Sequence, residues 1–137
     1  MPTPKKVELV AEIFALWSLI TAEVEEEEVN ILYKPHAAQV ICIFLLLCFD
    51  KSSTDKIIAV NRLAEVKTGE GKSITLAVLS MYLALFNYEV HCACYSEILS
   101  IRDEQEFKDL FCSLRVDKRI KYGIFEKIIK EIINTNQ

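Results

Sequence analysis

A short phosphate-binding pattern lies near the middle of the chain. Residues 68–73 read Thr-Gly-Glu-Gly-Lys-Ser, and they end in the Gly-Lys-Ser that closes the phosphate loops of nucleotide-binding proteins. Because glycine adopts positive φ and lets the backbone approach phosphate oxygens, Gly69 and Gly71 predict a concave cup of backbone N–H groups. Lys72 would reach the β- and γ-phosphates, and Ser73 would offer its hydroxyl to Mg²⁺.

The loop departs from the full G-x-x-x-x-G-K-[ST] pattern, because Val66 stands where that pattern has a glycine. It fits the variant Thr-Gly-x-Gly-Lys-[ST], which is common in helicase-like motors. The alternative is a chance Gly-Lys-Ser in a turn before a buried helix. A predicted strand over residues 61–66 and a predicted apolar helix over residues 74–86 favour the phosphate site, since strand, glycine loop and helix is its usual context.

Length and charge limit the other possibilities. The chain has 137 residues, enough for one domain or part of one, and 52% of them are apolar, which is sufficient for a core. The formal net charge of −4 argues against broad binding to nucleic acids or anionic lipids, since both need a basic face.

The cysteines and apolar runs predict a cytoplasmic protein. No C-x-x-C pattern occurs, and buried reduced thiols are predicted because every cysteine lies in an apolar run: Cys42, Cys48, Cys92, Cys94 and Cys112. The N-terminus does not read as a signal peptide. The two strongest apolar runs, residues 37–49 and 74–86, are too short to span a bilayer and are predicted to be core helices.

Hydrophobic periodicity predicts alternating helices and strands. Helices are predicted over residues 5–29, over 37–49 after Pro35, over 97–113 with Ser96 as N-cap, and over 124–133. Strands are predicted over residues 88–95 and 119–122, the latter ending at Gly123. Residues 57–60 are either a further short strand or a segment that approaches the strand before the loop. Two buried helix faces are predicted, the first formed by Ile98, Leu99, Phe107, Leu110 and Phe111 and the second by Phe125, Ile128, Ile129 and Ile132. The acidic residues 25–28 are either a solvated helix end or a docking face for a basic partner.

Strands that alternate with helices predict an α/β fold with a parallel sheet and right-handed crossovers. The strands are few for such a sheet, so the sheet is expected to be incomplete.

Residues from Lys34 to about Ile128 resemble the first nucleotide-binding domain of the SecA preprotein translocase ATPase family. The segment Lys34-Pro35-His36-Ala37-Ala38-Gln39 is similar to its adenine-recognition motif, Arg-Pro-x-x-x-Gln, and residues 63–73 are similar to its phosphate loop almost residue for residue. The later segments Val90-His91 with Leu99 and Arg102-Asp103, and Ile120-Lys121-Tyr122-Gly123, also resemble family motifs. Lys34 stands in place of an arginine and Ile124 in place of a threonine.

The resemblance implies an incomplete RecA-like P-loop domain that binds ATP and Mg²⁺. The implied nucleotide-binding residues are Gln39, Lys67, Thr68, Gly69, Glu70, Gly71, Lys72 and Ser73, with Gln39 reading the adenine and Ser73 holding the metal. Arg102 would lie near the polypeptide track; alternatively it pairs with Glu106 on an exposed helix face. The implied partners are a nucleotide, a polypeptide substrate and a membrane translocation channel, and the implied location is the cytoplasm or the periphery of a membrane.

The acid pair that holds Mg²⁺ and activates water in this family lies on a later strand. No Asp-Glu pair follows Gly123, and Asp103-Glu104 falls inside a predicted helix. We therefore expect ATP binding with poor hydrolysis, a sheet with a gap between its strands, and a chain that is a fragment or a truncated product.

Two domains are predicted: residues 1–33, an amphipathic helix with its acidic run, and residues 34–137, the partial nucleotide-binding domain. The function predicted is the ATP-binding part of a SecA-like protein-translocation motor. The alternatives are a fragment of a helicase-like, nucleic-acid-dependent ATPase and a non-catalytic protein-interaction module.

Overall fold

A computed structural model describes residues 4–24, 32–47 and 61–135. The chain divides between Tyr82 and Leu83 into two compact units, which are described separately below.

The first unit contains three helices, α1 (Pro4–Val24), α2 (Ala37–Leu46) and most of α3 (Lys72–Leu85). Its core consists of side chains that recur every three or four residues along α1 and α3, as expected for helices that bury one face: Val10, Ile13 and Phe14, then Ala77, Val78 and Met81. From α2, Ile43 is completely buried. The helices predicted from Lys5 and from Ala37 are therefore present, whereas residues 25–31 and 48–60, with the acidic run, Cys48 and the strand predicted at 57–60, lie outside the described residues.

The strand predicted over residues 61–66 is absent. Residues 61–67 are in no regular secondary structure, and nearly all of their side chains are exposed. A strand exists only through hydrogen bonds to a neighbouring strand, and among the described residues the sheet contains two strands, neither of which includes this segment. The prediction was wrong because apolar composition does not supply a pairing partner.

The second unit is a β–α–β arrangement followed by a helix. Strand β1 (Val90–Cys94) leads into α4 (Glu97–Ser113), one 3₁₀ turn, β2 (Ile120–Ile124) and α5 (Phe125–Thr135). The two strands are parallel, in register from Val90 opposite Ile120 to Cys94 opposite Ile124. No gap separates β1 from β2, so the expected gap in the sheet does not occur between these two strands.

The architecture is an incomplete RecA-like α/β fold, with a short parallel sheet flanked by helices and an additional N-terminal helix. None of the helices among residues 4–24, 32–47 and 61–135 is long and apolar enough to cross a membrane.

Local signals located α4 well. Its bounds agree with the prediction, and Ser96 accepts a hydrogen bond from the backbone N–H of Leu99 at 3.4 Å, as an N-cap does. Its buried face was predicted only in part. Phe107, Leu110 and Phe111 are buried as expected, but Ile98 is 80% exposed and Leu99 47% exposed.

The α4 face that reaches the core continues from Phe107 through Asp103 and Ser100, which are both buried. These three residues follow the helical spacing of three to four residues, so Ile98 and Leu99 fall on another side of the helix. The prediction was wrong for Ile98 and Leu99 because the largest apolar side chains of the first turn of α4 do not face the sheet.

Helix α5 buries less of its apolar face than its sequence predicts. Ile128 is buried, but Phe125 is 67% exposed, and Ile129 and Ile132 are 37% and 40% exposed. Gly123 lies within β2 rather than ending it, and a Cβ there would approach Ile128 Cγ1 to 3.2 Å. The absence of a side chain at Gly123 therefore allows Ile128 to pack directly on the strand.

The described cysteines are all free thiols, but they are not uniformly buried. Cys92 is buried, Cys42 and Cys94 are half-buried and Cys112 is exposed. The prediction of burial was wrong for Cys112 because its apolar neighbours in sequence, on a helix, point in other directions. Burial, together with the nearby Asp103 carboxylate, raises the pKa of the Cys94 thiol.

Candidate nucleotide-binding site

The segment 67–71 forms a tight turn that ends where α3 begins. The N–H of Glu70 donates to the carbonyl of Lys67 at 3.3 Å, and Gly69 and Gly71 have φ values of +87° and +72°. Both glycines thus adopt the left-handed conformation that other residues reach only at a cost. The positive φ predicted for this loop is present.

The loop opens onto the N-terminus of α3. The carbonyl of Gly71 accepts from both the N–H and the Oγ1 hydroxyl of Thr75, at 3.2 and 3.0 Å. In general, the N–H groups of a first helical turn have no acceptor within the helix. Together with the helix dipole, they make this end of α3 favourable for an anion.

Lys72 folds back over the loop that precedes it. Its Nζ donates to the carbonyls of Val66 and Lys67, each at 3.3 Å, and the side chain is exposed. The side chain of Lys72, at the end of the loop, is therefore hydrogen-bonded to the backbone at the beginning of the loop. Because these bonds are made to exposed carbonyls, a polyanion can replace them without leaving a buried group unpaired.

Gln39 connects α2 to the loop. It lies in the first turn of α2 and is 6% exposed. Its Oε1 accepts from the backbone N–H of His36 at 2.9 Å, and its Nε2 donates to the carbonyl of Glu70 at 3.2 Å. A Cβ added at Gly71 would overlap Gln39 Nε2. Gly71 therefore provides both the positive φ and the space that this contact requires.

Half of the hydrogen-bonding capacity of the Gln39 amide remains. An amide offers two donors and two acceptor lone pairs, and the bonds to His36 and Glu70 use one of each. Gln39 therefore caps local backbone at His36, and one donor and one lone pair are left for a ligand.

A groove of about 720 Å³ lies beside the loop, between α2 and residues 62–67. Gln39, Ala38 and Cys42 line it from the helix, and Val66 and Lys67 line it from the other side. Its size is in the range of small-molecule sites.

The remaining predicted site residues surround the same turn. Lys67, Thr68 and Glu70 are exposed, and Ser73 is half-buried in the first turn of α3. All eight predicted residues therefore lie in the loop, in the first turn of α3 or in the first turn of α2. The sequence did not indicate the carbonyls of Val66 and Lys67 as partners of Lys72, because every residue has a backbone carbonyl whatever its type.

Among the described residues, no group of three or more His, Cys, Asp or Glu side chains could hold a metal ion. Asp103 is buried in α4 and accepts hydrogen bonds from Arg102, with Arg102 Nε at 3.0 Å from Oδ1. Arg102 therefore pairs with Asp103, and not with Glu106 as in the alternative given for it. Glu104 is exposed on the same helix, so this Asp-Glu pair does not lie at the end of a strand.

Comparison with known protein families gives a match over most of the chain. The sequence model of the SecA DEAD-like domain matches residues 6–127. The chain belongs to the SecA DEAD-like domain family. The match begins within α1, a helix that the motif resemblance does not cover. No curated protein and no solved structure matches the chain.

Proposed function

We propose that this SecA-family chain binds ATP with Mg²⁺ at the loop 67–73, as the nucleotide-binding part of a protein-translocation motor. The observation that carries the proposal is the loop itself: two glycines at positive φ lead into the N-terminus of α3, with the Lys72 ammonium lying across the turn. These features suit a polyphosphate, because backbone N–H groups, a helix dipole and a mobile cation all favour several negative oxygens at one place.

Each residue has a role in this proposal. Lys72 exchanges the carbonyls of Val66 and Lys67 for the β- and γ-phosphate oxygens, and Gly69 and Gly71 keep the backbone close to them. Ser73 directs its hydroxyl toward Mg²⁺, which would neutralise phosphate charge when bound. Gln39 contacts the adenine with its remaining donor and lone pair.

Hydrolysis by this chain is expected to be near background. Phosphoryl transfer depends on an acid that holds the metal and on a group that orients the attacking water. Among the described residues, the only Asp-Glu pair lies within α4, and its Asp103 is already bonded to Arg102. A turnover of about 1 s⁻¹ or more, typical of working enzymes, would contradict this expectation.

The binding proposal is tested by thermal unfolding with ATP and Mg²⁺. Ligand at about 100 times its Kd adds about 2.7 kcal/mol to the free energy of unfolding, so Tm should rise by several degrees. Lys72→Ala should abolish the rise, whereas Lys118→Ala, an exposed lysine outside the loop, should retain it. An undiminished shift in Lys72→Ala would remove the site assignment.

The remaining family properties belong to the same proposal. We infer three of them from the family alone. They are a polypeptide substrate, a membrane translocation channel as partner, and a cytoplasmic location with contact at the periphery of a membrane.

Filter binding to single-stranded RNA distinguishes a helicase-like activity from this function. A steep loss of RNA affinity with increasing salt would support the helicase-like activity. A purely non-catalytic interaction module is favoured if Lys72→Ala leaves every partner interaction unchanged and ATP does not alter Tm.

A further inference from the structure

A second groove lies on the side of α2 opposite the groove beside the loop. It has a volume of about 450 Å³ and lies between α1, residues 32–35 and α2. Its walls are almost entirely apolar, with Val7, Ala11 and Phe14 contributed by α1 and Val40 and Phe44 by α2. All of these residues belong to the first unit.

Ser18 is a polar residue of α1 in this wall. It is 7% exposed, and its Oγ has no hydrogen-bond partner among the described residues. Leaving a buried hydroxyl without a partner is destabilising, and Ser18 lines the groove. A ligand with a hydrogen-bond acceptor at this point would satisfy the hydroxyl.

Lys34 lies at the same end of the groove. The rings of Trp17 and Tyr33 are 6.0 Å apart, so the neighbouring residues Ser18 and Lys34 are carried by segments that meet here. Lys34 lines the groove, is exposed, and forms no ion pair with another described residue. One end of an apolar groove therefore offers a hydroxyl donor and an ammonium group.

We propose that this groove binds a single-chain carboxylate amphiphile, that is, a medium-chain fatty acid. The carboxylate accepts a hydrogen bond from Ser18 Oγ and lies beside the Lys34 ammonium, while the alkyl chain follows α1 toward Val7. The distance along α1 from Ser18 to Val7 is about 16 Å, from the rise of 1.5 Å per residue. That length is comparable with an extended dodecanoate chain.

Dodecanoate, titrated below its critical micelle concentration, tests the proposal. Trp17 is the single tryptophan of the chain and lies next to Ser18, so its fluorescence should change and saturate at one equivalent. Ser18→Ala should weaken binding about threefold to tenfold, the range that corresponds to one net hydrogen bond. Lys34→Ala should weaken binding and remove its dependence on salt, which screens an exposed charge pair.

Matched variants separate binding in the groove from adsorption elsewhere. Ala11→Phe fills the groove and should abolish saturation, whereas Glu12→Phe places the same ring on the exposed side of α1 and should leave it intact. The proposal is overturned if dodecanoate gives no saturable change, if Ala11→Phe binds as well as the parent chain, or if a change appears only with phospholipid vesicles, which would indicate a membrane surface instead.

Discussion

Gly69 and Gly71 both adopt positive φ, but only Gly71 lies against another side chain. A Cβ at Gly69 would meet no atom within 4 Å, whereas a Cβ at Gly71 would overlap Gln39 Nε2 and approach Ile74 Cγ2 to 3.3 Å. Gly69→Ala should therefore lower the free energy of unfolding by about 1 kcal/mol, through backbone strain alone. Gly71→Ala should cost about 1–2 kcal/mol more, because Gln39 must also give up its bond to Glu70.

Urea denaturation of the two variants in the Gln39→Ala background isolates that contact. Removing the Gln39 side chain should remove most of the additional cost at Gly71, leaving the part due to Ile74, and should leave the cost at Gly69 unchanged. Equal effects of the Gln39 background on both glycine variants would contradict the contact.

At the scale of single residues, the sequence predicted backbone conformation better than it predicted side-chain contacts. Glycine and lysine in Thr68–Ser73 were sufficient to predict a loop with positive φ at the start of a helix. The bond from Gln39 to Glu70 joins residues 31 positions apart, and no local pattern encodes it. The bond from Gln39 to Glu70 could therefore not be predicted from the sequence.

The C-terminal end of α4 carries a strained residue. Arg115 has φ +57° directly after the helix, where the N–H of Val116 donates to the carbonyl of Phe111 at 3.1 Å. Glycine is the residue that most often ends helices in this way. Arg115→Gly should raise the free energy of unfolding by about 0.5–1 kcal/mol.

Arg115→Ala is the control, because it removes the same side chain but keeps a Cβ. It should give no gain in a urea titration. If alanine stabilised the chain as much as glycine, the cause would be the loss of the arginine side chain and not relief of the backbone.

Helices and strands differed in how far the sequence could predict them. Helix α4 was predicted with its cap and both ends because capping and helical spacing are local properties. The strand predicted at 61–66 failed because strand formation depends on a neighbour elsewhere in the chain. For the same reason, β1 and β2 are strands: each supplies the other's partner.

Each of the two units contains a tyrosine whose hydroxyl is buried and whose pKa is raised. Burial raises the pKa of Tyr82 to about 12, and burial also raises the pKa of Tyr122, with the neighbouring Cys92 thiol as a smaller cause. The folded chain holds both protons more tightly than the unfolded chain, whose tyrosines titrate near pH 10. The free energy of unfolding should be unaffected by these groups below about pH 10 and should fall as pH rises toward 12.

Urea unfolding at pH 9, 10 and 11 measures this fall. Tyr82→Phe and Tyr122→Phe should each make the decrease smaller, and the double variant should retain only the part due to other groups, such as the Cys94 thiol. An identical pH dependence in all four proteins would show that neither phenol is protected from ionisation in the folded state.

For the molecule as a whole, the family and the α/β class were predictable, but the division into units was not. Motif residues between Lys34 and Gly123 were enough to indicate the SecA family, which the match over residues 6–127 confirms. The boundary between Tyr82 and Leu83 falls inside α3, where composition and periodicity do not change. The domain boundary predicted at residue 33 stays a prediction.

The double attachment of Gln39 has a consequence for any base that binds beside it. Fixing a mobile glutamine side chain costs roughly 1.5–2 kcal/mol in rotamer entropy. Here the amide is already held by His36 and Glu70, so that loss occurs when the chain folds. A purine would therefore bind to a donor and an acceptor that are already oriented. Because Gln39 is bonded to Glu70, movement of the loop would also move the amide that contacts the base.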